Sequence, residues 1–147
     1  MTKDVLVAIK GLQFEGDMDT EAIEVINKGE YYKKNEGHYV IFDEVTEGFK
    51  EKTKNILHVK GDSVELTKRG LVNVHMSFEE NKKNMTQYST PYGNIMIGID
   101  TKSIKMEEKE DRLQIGIEYA LELNYEHFAD CNIEMDIRSK NKGATLM

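Results

Sequence analysis

Four histidines, one cysteine and 27 acidic residues are the groups of this 147-residue chain with the most evident chemical potential. If Gly61-Asp62 is a two-residue turn and Lys68-Arg69-Gly70 a three-residue loop, His58, Glu65 and Asn73 become cross-strand neighbours. An imidazole beside a carboxylate can act as an oriented general base. The same register puts these three opposite in parity to Leu57, Val64 and Val74, on the wet face. Pairs of this kind contribute about 0.2–1 kcal/mol to a sheet, so surface pairing is the expectation.

The remaining reactive groups do not assemble into a motif. Cys131 follows Asp130, whose charge raises a thiol pKa, and shares the parity of Ile133 and Met135, so a buried or half-buried structural cysteine is expected. His38, His58, His75 and His127 are scattered, with no paired His or Cys at ligand spacing. The run Glu15-Gly16-Asp17-Met18-Asp19-Thr20-Glu21 lacks the ligand spacing of an EF-hand and reads as a solvated turn. Glu107-Glu108-Lys109-Glu110-Asp111 reads the same way. There is no Gly-x-Ser-x-Gly elbow, and Gly93 and Gly98 flank a strand rather than opening a helix on a phosphate. The expectation is no catalysis, no metal and no cofactor.

The net charge of −7 opposes binding to nucleic acid, and the Lys33–Lys34 and Lys82–Lys83 pairs flank turns rather than forming a basic stripe. No stretch approaches the roughly 20 apolar residues of a membrane helix, and the apolar run in MTKDVLVAIKG is too short for a signal peptide. With a single cysteine nothing calls for an oxidising compartment, so the expectation is a cytoplasmic protein that does not engage membranes.

The elements that must position these groups are strands. Leu113, Ile115, Ile117, Tyr119, Leu121 and Leu123 share one parity, while Gln114, Glu118, Glu122 and Asn124 share the other. Side chains on a strand alternate between faces, so this segment is buried on one side only. The same rhythm runs through Val72–Phe78, Ile95–Ile99 and Ile133–Ile137. Strands are expected near 3–13, 21–34, 38–46, 50–60, 63–68, 71–79, 85–90, 93–106, 112–124 and 132–139. Loops this short force antiparallel neighbours, and a long meander closes to remove its edges. Val59 should face Val64, and Leu57 should face Leu66; across the next turn, Leu66 should face Val72 and Val64 should face Val74. The apolar parity switches between Ile99 and Ile104, which calls for one extra residue, a bulge, across Asp100–Ser103.

One domain over 1–147 is expected, an all-β, mostly up-and-down antiparallel barrel of eight to ten strands. Its inward candidates are Val64, Leu66, Val72, Val74, Met76, Phe78, Ile97, Ile117 and Tyr119. Barrels of about eight strands are either filled by side chains or hold one small ligand. Of these residues Val64, Leu66, Val74, Met76, Phe78, Ile117 and Tyr119 are taken as the candidate site for a small apolar or amphipathic molecule. The competing expectation is a filled barrel that serves protein interaction or homo-oligomerisation.

The segments KGEYYKKNEGHYVIFDE (28–44), VKGDSVELTKRG (59–70), YSTPYGNIMIGIDTKSI (88–104) and the acidic loop leading into RLQIGIEYAL (112–121) resemble those of the YwiB-type bacterial proteins. The most specific piece is Gly93 together with Thr101-Lys102-Ser103-Ile104. The resemblance implies a calycin-like, or lipocalin-like, β-barrel and carries no activity with it. The Gly-x-Trp signature of lipocalins proper is absent, since the chain has no Trp.

Overall fold

Alternation over so much of the chain leaves each strand with one greasy face to hide, and a closed sheet hides all of them at once. The structure, a computed structural model, describes residues 1, 3–11, 24–35, 37–45 and 48–140. Among these residues there are ten strands: β1 (Asp4–Lys10), β2 (Glu24–Lys34), β3 (Gly37–Val45), β4 (Lys52–Val59), β5 (Ser63–Arg69), β6 (Val74–Glu79), β7 (Lys82–Thr90), β8 (Gly93–Lys109), β9 (Arg112–Leu123) and β10 (Glu126–Ser139). Among the described residues there is no helix.

All ten strands lie in one antiparallel sheet, ordered β6-β5-β4-β3-β2-β1-β10-β9-β8-β7. Every sequential pair except β6–β7 forms a ladder, and β1 pairs with β10 from Val5–Ser139 to Lys10–Glu134, joining the two ends of the meander. The outer members, β6 and β7, are themselves consecutive. They meet at a single bridge, Asn73 with Ser89, whose two backbone hydrogen bonds are each 2.9 Å. Closer to their turn, the Asn84 side-chain amide donates to the Ser77 carbonyl at 3.1 Å in place of a ladder bond. The barrel is therefore nearly closed, with one seam.

The expected bulge is present. The β8–β9 register shifts between Thr101 and Ser103, so Ile97, Ile99 and Thr101 before it, and Ile104 and Met106 after it, all turn to the inner side. A second bulge, between His127 and Ala129 on β10, was not anticipated. The strand there begins at Glu126 rather than near 132, and β7 begins at Lys82 rather than near 85.

The β4–β5 register is as expected, with Val59 opposite Val64 and Leu57 opposite Leu66. The β5–β6 register is not. Leu66 faces Met76 rather than Val72, and Val64 faces Phe78 rather than Val74. The connection after Arg69 is longer because Asn73 closes it, accepting from the Gly70 amide at 3.2 Å and donating to the Gly70 carbonyl at 2.8 Å. Gly70 also lies against the Lys52 backbone, at φ +146°. The shift is four residues, an even number, so it keeps the same side chains inside.

Candidate functional site

The inner wall contains every residue of the proposed site. Val64, Leu66, Met76 and Phe78 are fully buried, and Val74, Ile117 and Tyr119 nearly so. Val72 is partly buried against them, and Ile97 is buried. The Phe78 ring meets Tyr119 edge-on at 5.3 Å, linking β6 to β9 inside the barrel.

The wall is not uniformly apolar. Toward the β2–β3 turn, the Tyr31 hydroxyl and His38 Nδ1 are 2.6 Å apart, and both residues are buried. His38 Nε2 lies 3.3 Å from Glu108, whose other oxygen is 3.6 Å from Lys33. In a ring of ten strands, β3 and β8 stand five places apart, so the His38–Glu108 contact reaches across the barrel. The β7 ladder ends at Thr101, and beyond it β8 pairs only with β9. Residues 103–109 thus form a strap over this end, with Ile104 and Met106 packed on the core and the Ile104 amide donating to Glu80 at 2.8 Å. Burial, and then the nearby Glu108 carboxylate, push the Tyr31 pKa up, so the phenol stays protonated.

At the opposite end, Lys68 is a buried lysine. Its ammonium donates to Glu44 Oε1 at 2.8 Å and to Asn55 Oδ1 at 2.9 Å, and Asn55 is fully buried. On the wall between the ends, Thr101, Tyr119 and Cys131 lie side by side on β8, β9 and β10. Tyr119 and Cys131 face each other as ladder partners. Burial raises both pKa values, so phenol and thiol are neutral near neutral pH. The Thr101 hydroxyl is buried and has no hydrogen-bond partner among the described residues.

Of the residues with chemical potential in the sequence, His38 and Cys131 lie on this wall and the His58–Glu65 pair lies outside it. His58 and Glu65 are cross-strand partners on the outer face, as expected. His58 stacks on Tyr39 at 4.1 Å; burial lowers its pKa, as does Lys60, against an opposing effect of Glu65. Glu65 instead contacts His75 Nε2 at 3.1 Å and Lys60 at 3.6 Å. Asn73 does not join this group, because the register shift carries it to the seam. Cys131 is half-buried, as expected. The acidic run 15–21 lies outside the described residues. Glu107, Glu108 and Lys109 belong to β8 rather than to a turn, and Glu108 reaches His38. No cluster of three or more His, Cys, Asp or Glu able to hold a metal occurs among the described residues. Nor does any helix there have the length and hydropathy to cross a membrane.

His38, Asn55, Lys68 and Thr101 were missed as interior residues, although each carries a signal. Each is polar at an inward parity, as Lys68 is after Val64 and Leu66. Outside the barrel, an open trough over Ala8 and Gly116 is rimmed by Lys10, Lys105, Glu107, Glu134 and Asp136, whose mixed charges select no single ligand.

The fold and its inner wall define a ten-stranded meander β-barrel with an amphipathic interior. Residues 7–135 match the family described as a domain of unknown function, DUF1934, and the chain belongs to that family. The uncharacterised β-barrel protein YwiB of Bacillus subtilis (strain 168) is 28% identical over 113 residues, covering 76% of this chain and 78% of YwiB. The crystal structure of YwiB from Bacillus subtilis superposes with a TM-score of 0.80 at 23% identity, covering 95% of this chain and 93% of that one. The superposition supports the barrel, and only the barrel.

Proposed function

We propose that this chain is a cytoplasmic, lipocalin-like, non-enzymatic module that holds one small apolar or amphipathic molecule inside its barrel. The observation that carries this reading is the mixed character of the inner wall. Aliphatic side chains from nearly every strand are interrupted by Tyr31, His38, Asn55, Lys68, Thr101 and Tyr119, all buried. Small-molecule sites are lined in this way, by apolar surface with a few placed polar groups. Ten strands also enclose more width than eight, the number at which side chains suffice to fill the interior. The absence of catalysis is read from the separation of the polar groups. His38 is buried between two partners, and the outer His58 is stacked on a ring, so neither imidazole meets a nucleophile in a shared cleft.

Native mass spectrometry of chain purified without denaturant tests the proposal. One retained small molecule per chain supports it; a bare chain that also takes up no amphiphile counts against it.

The second reading, an interaction or homo-oligomeric barrel, draws on one feature. Tyr92 and Tyr125 are 88% and 73% exposed on neighbouring turns at the same end, with Phe49 against Tyr92. Sedimentation of the wild type and of Tyr92→Ser/Tyr125→Ser separates the readings: a dimer lost on substitution favours interaction.

A further inference from the structure

We infer that the Thr101–Tyr119–Cys131 row is the polar subsite of the barrel interior, and that it takes an uncharged hydrogen-bonding group such as a hydroxyl or carbonyl. The inference rests on the ligand-binding reading above and narrows it to a chemical class.

Three observations lead there. Thr101 sits on β8 opposite Tyr119 of β9, which sits opposite Cys131 of β10, so the three form one lateral strip. Within the strip Tyr119 and Cys131 face each other as ladder partners, whereas the Thr101 hydroxyl is fully buried with no partner among the described residues. Unsatisfied buried polar groups are few in folded proteins, so each asks for an explanation, and contact with a ligand atom is one. A hydroxyl can donate or accept, so the group it meets is of either kind.

The surroundings argue against a charged partner. A buried carboxylate needs a cation, and the nearby cations are engaged. Lys82, the register partner of Thr101, lies largely in solvent 3.5 Å from Glu79. Lys68 is committed to Glu44 and Asn55 at the barrel's other end. Tyr119 and Cys131 are neutral, and neither offers compensation for charge. An ionised group set against this strip would lose its hydration with nothing in return. An alcohol, ketone or ester loses far less and gains the bond that Thr101 lacks. Phe78, which meets the Tyr119 ring of the strip edge to face, supplies an apolar surface for the rest of such a molecule.

The test uses full-length chain, decanol and decanoate as probes, and the variants Thr101→Val and Thr101→Ser. Val matches Thr in shape and removes only the hydroxyl, while Ser keeps it. Calorimetric titration should show decanol binding tighter than decanoate, weakened about three- to tenfold by Thr101→Val, the worth of one hydrogen bond, and restored by Thr101→Ser. Without ligand, Thr101→Val should raise the urea midpoint, because an unsatisfied hydroxyl is removed. Decanoate binding as tightly as decanol, or decanol binding indifferent to Thr101→Val, overturns this inference and leaves the ligand-binding reading standing. Failure of both probes to bind overturns both. A lower urea midpoint for Thr101→Val also overturns the inference, since the hydroxyl would then be satisfied in the free protein.

Discussion

Lys68 is the sharpest energetic test of the inner wall. Its ammonium is about nine-tenths buried and held by Glu44 and Asn55 at 2.8 and 2.9 Å. Removing one partner of a fully buried pair costs about 3–5 kcal/mol, because the other charge is left desolvated. Glu44 is about one-third exposed, so water can reach part of the site, and we expect Glu44→Ala to cost about 2–3 kcal/mol. Lys68→Met keeps the stem volume and removes the charge. It leaves the Asn55 oxygen without its donor, worth about 1 kcal/mol, but it also spares the burial of an ammonium. The net change should lie within about 1 kcal/mol of wild type, in either direction. The double variant Glu44→Ala/Lys68→Met should then be more stable than Glu44→Ala alone, a strongly non-additive cycle. Urea unfolding followed by far-UV circular dichroism reads all four proteins, with an unchanged m-value as the control for a common unfolded state. Additive effects, or a Lys68→Met loss equal to that of Glu44→Ala, would refute the claim that the cost lies in stranding a buried cation.

Three further outcomes are expected. The Arg112 guanidinium, bonded to Asp136 at 2.9 and 2.7 Å, holds that carboxyl below its usual range, so its stabilising contribution is complete above the ordinary aspartate pKa and fades as pH falls through the lowered value. The gap in urea midpoint between wild type and Asp136→Asn should therefore be widest near neutrality and close in acid; a gap independent of pH would contradict this. Asn124 and Tyr125 both have positive φ, 51° and 72°, in the two-residue turn before β10. Glycine tolerates that conformation where tyrosine is strained, so Tyr125→Gly should raise stability by about 1 kcal/mol in a thermal melt, and a loss would show that the exposed ring contributes more than the strain costs. Glu108→Gln removes the charge that reaches His38 and Lys33 across the barrel. Hydrogen exchange should quicken over residues 103–109 while the β1–β10 ladder is unchanged; uniform quickening would mean that the contact supports the whole fold rather than the strap.

Much of the fold was legible because parity is a direct readout of which face is buried. All ten strands, the β4–β5 register and the β8 bulge follow from where the apolar residues sit. The β5–β6 register did not, since a four-residue slip leaves the same residues inside, and only the Asn73–Gly70 closure chooses between the alternatives. The Asn124-Tyr125 turn was invisible for want of a glycine, and with it the early start of β10. The inward placement of the seven residues of the proposed site was legible residue by residue. The polar interior was not, because Thr101 and Lys68 owe their partners, or the lack of one, to strands far away in the chain. Parity could have flagged them as polar residues facing inward, but not that Glu108 meets His38 from the opposite wall.

The central claim is that the barrel interior receives an amphipathic molecule. Methyl-resolved NMR during titration with decanol tests it most directly. The account predicts saturable shifts concentrated on the inward methyls of Val64, Leu66, Val74, Met76 and Ile117, with the outward methyls of Ile26 and Val45 unmoved. Shifts confined to Ile26 and Val45, or none at all, would contradict it.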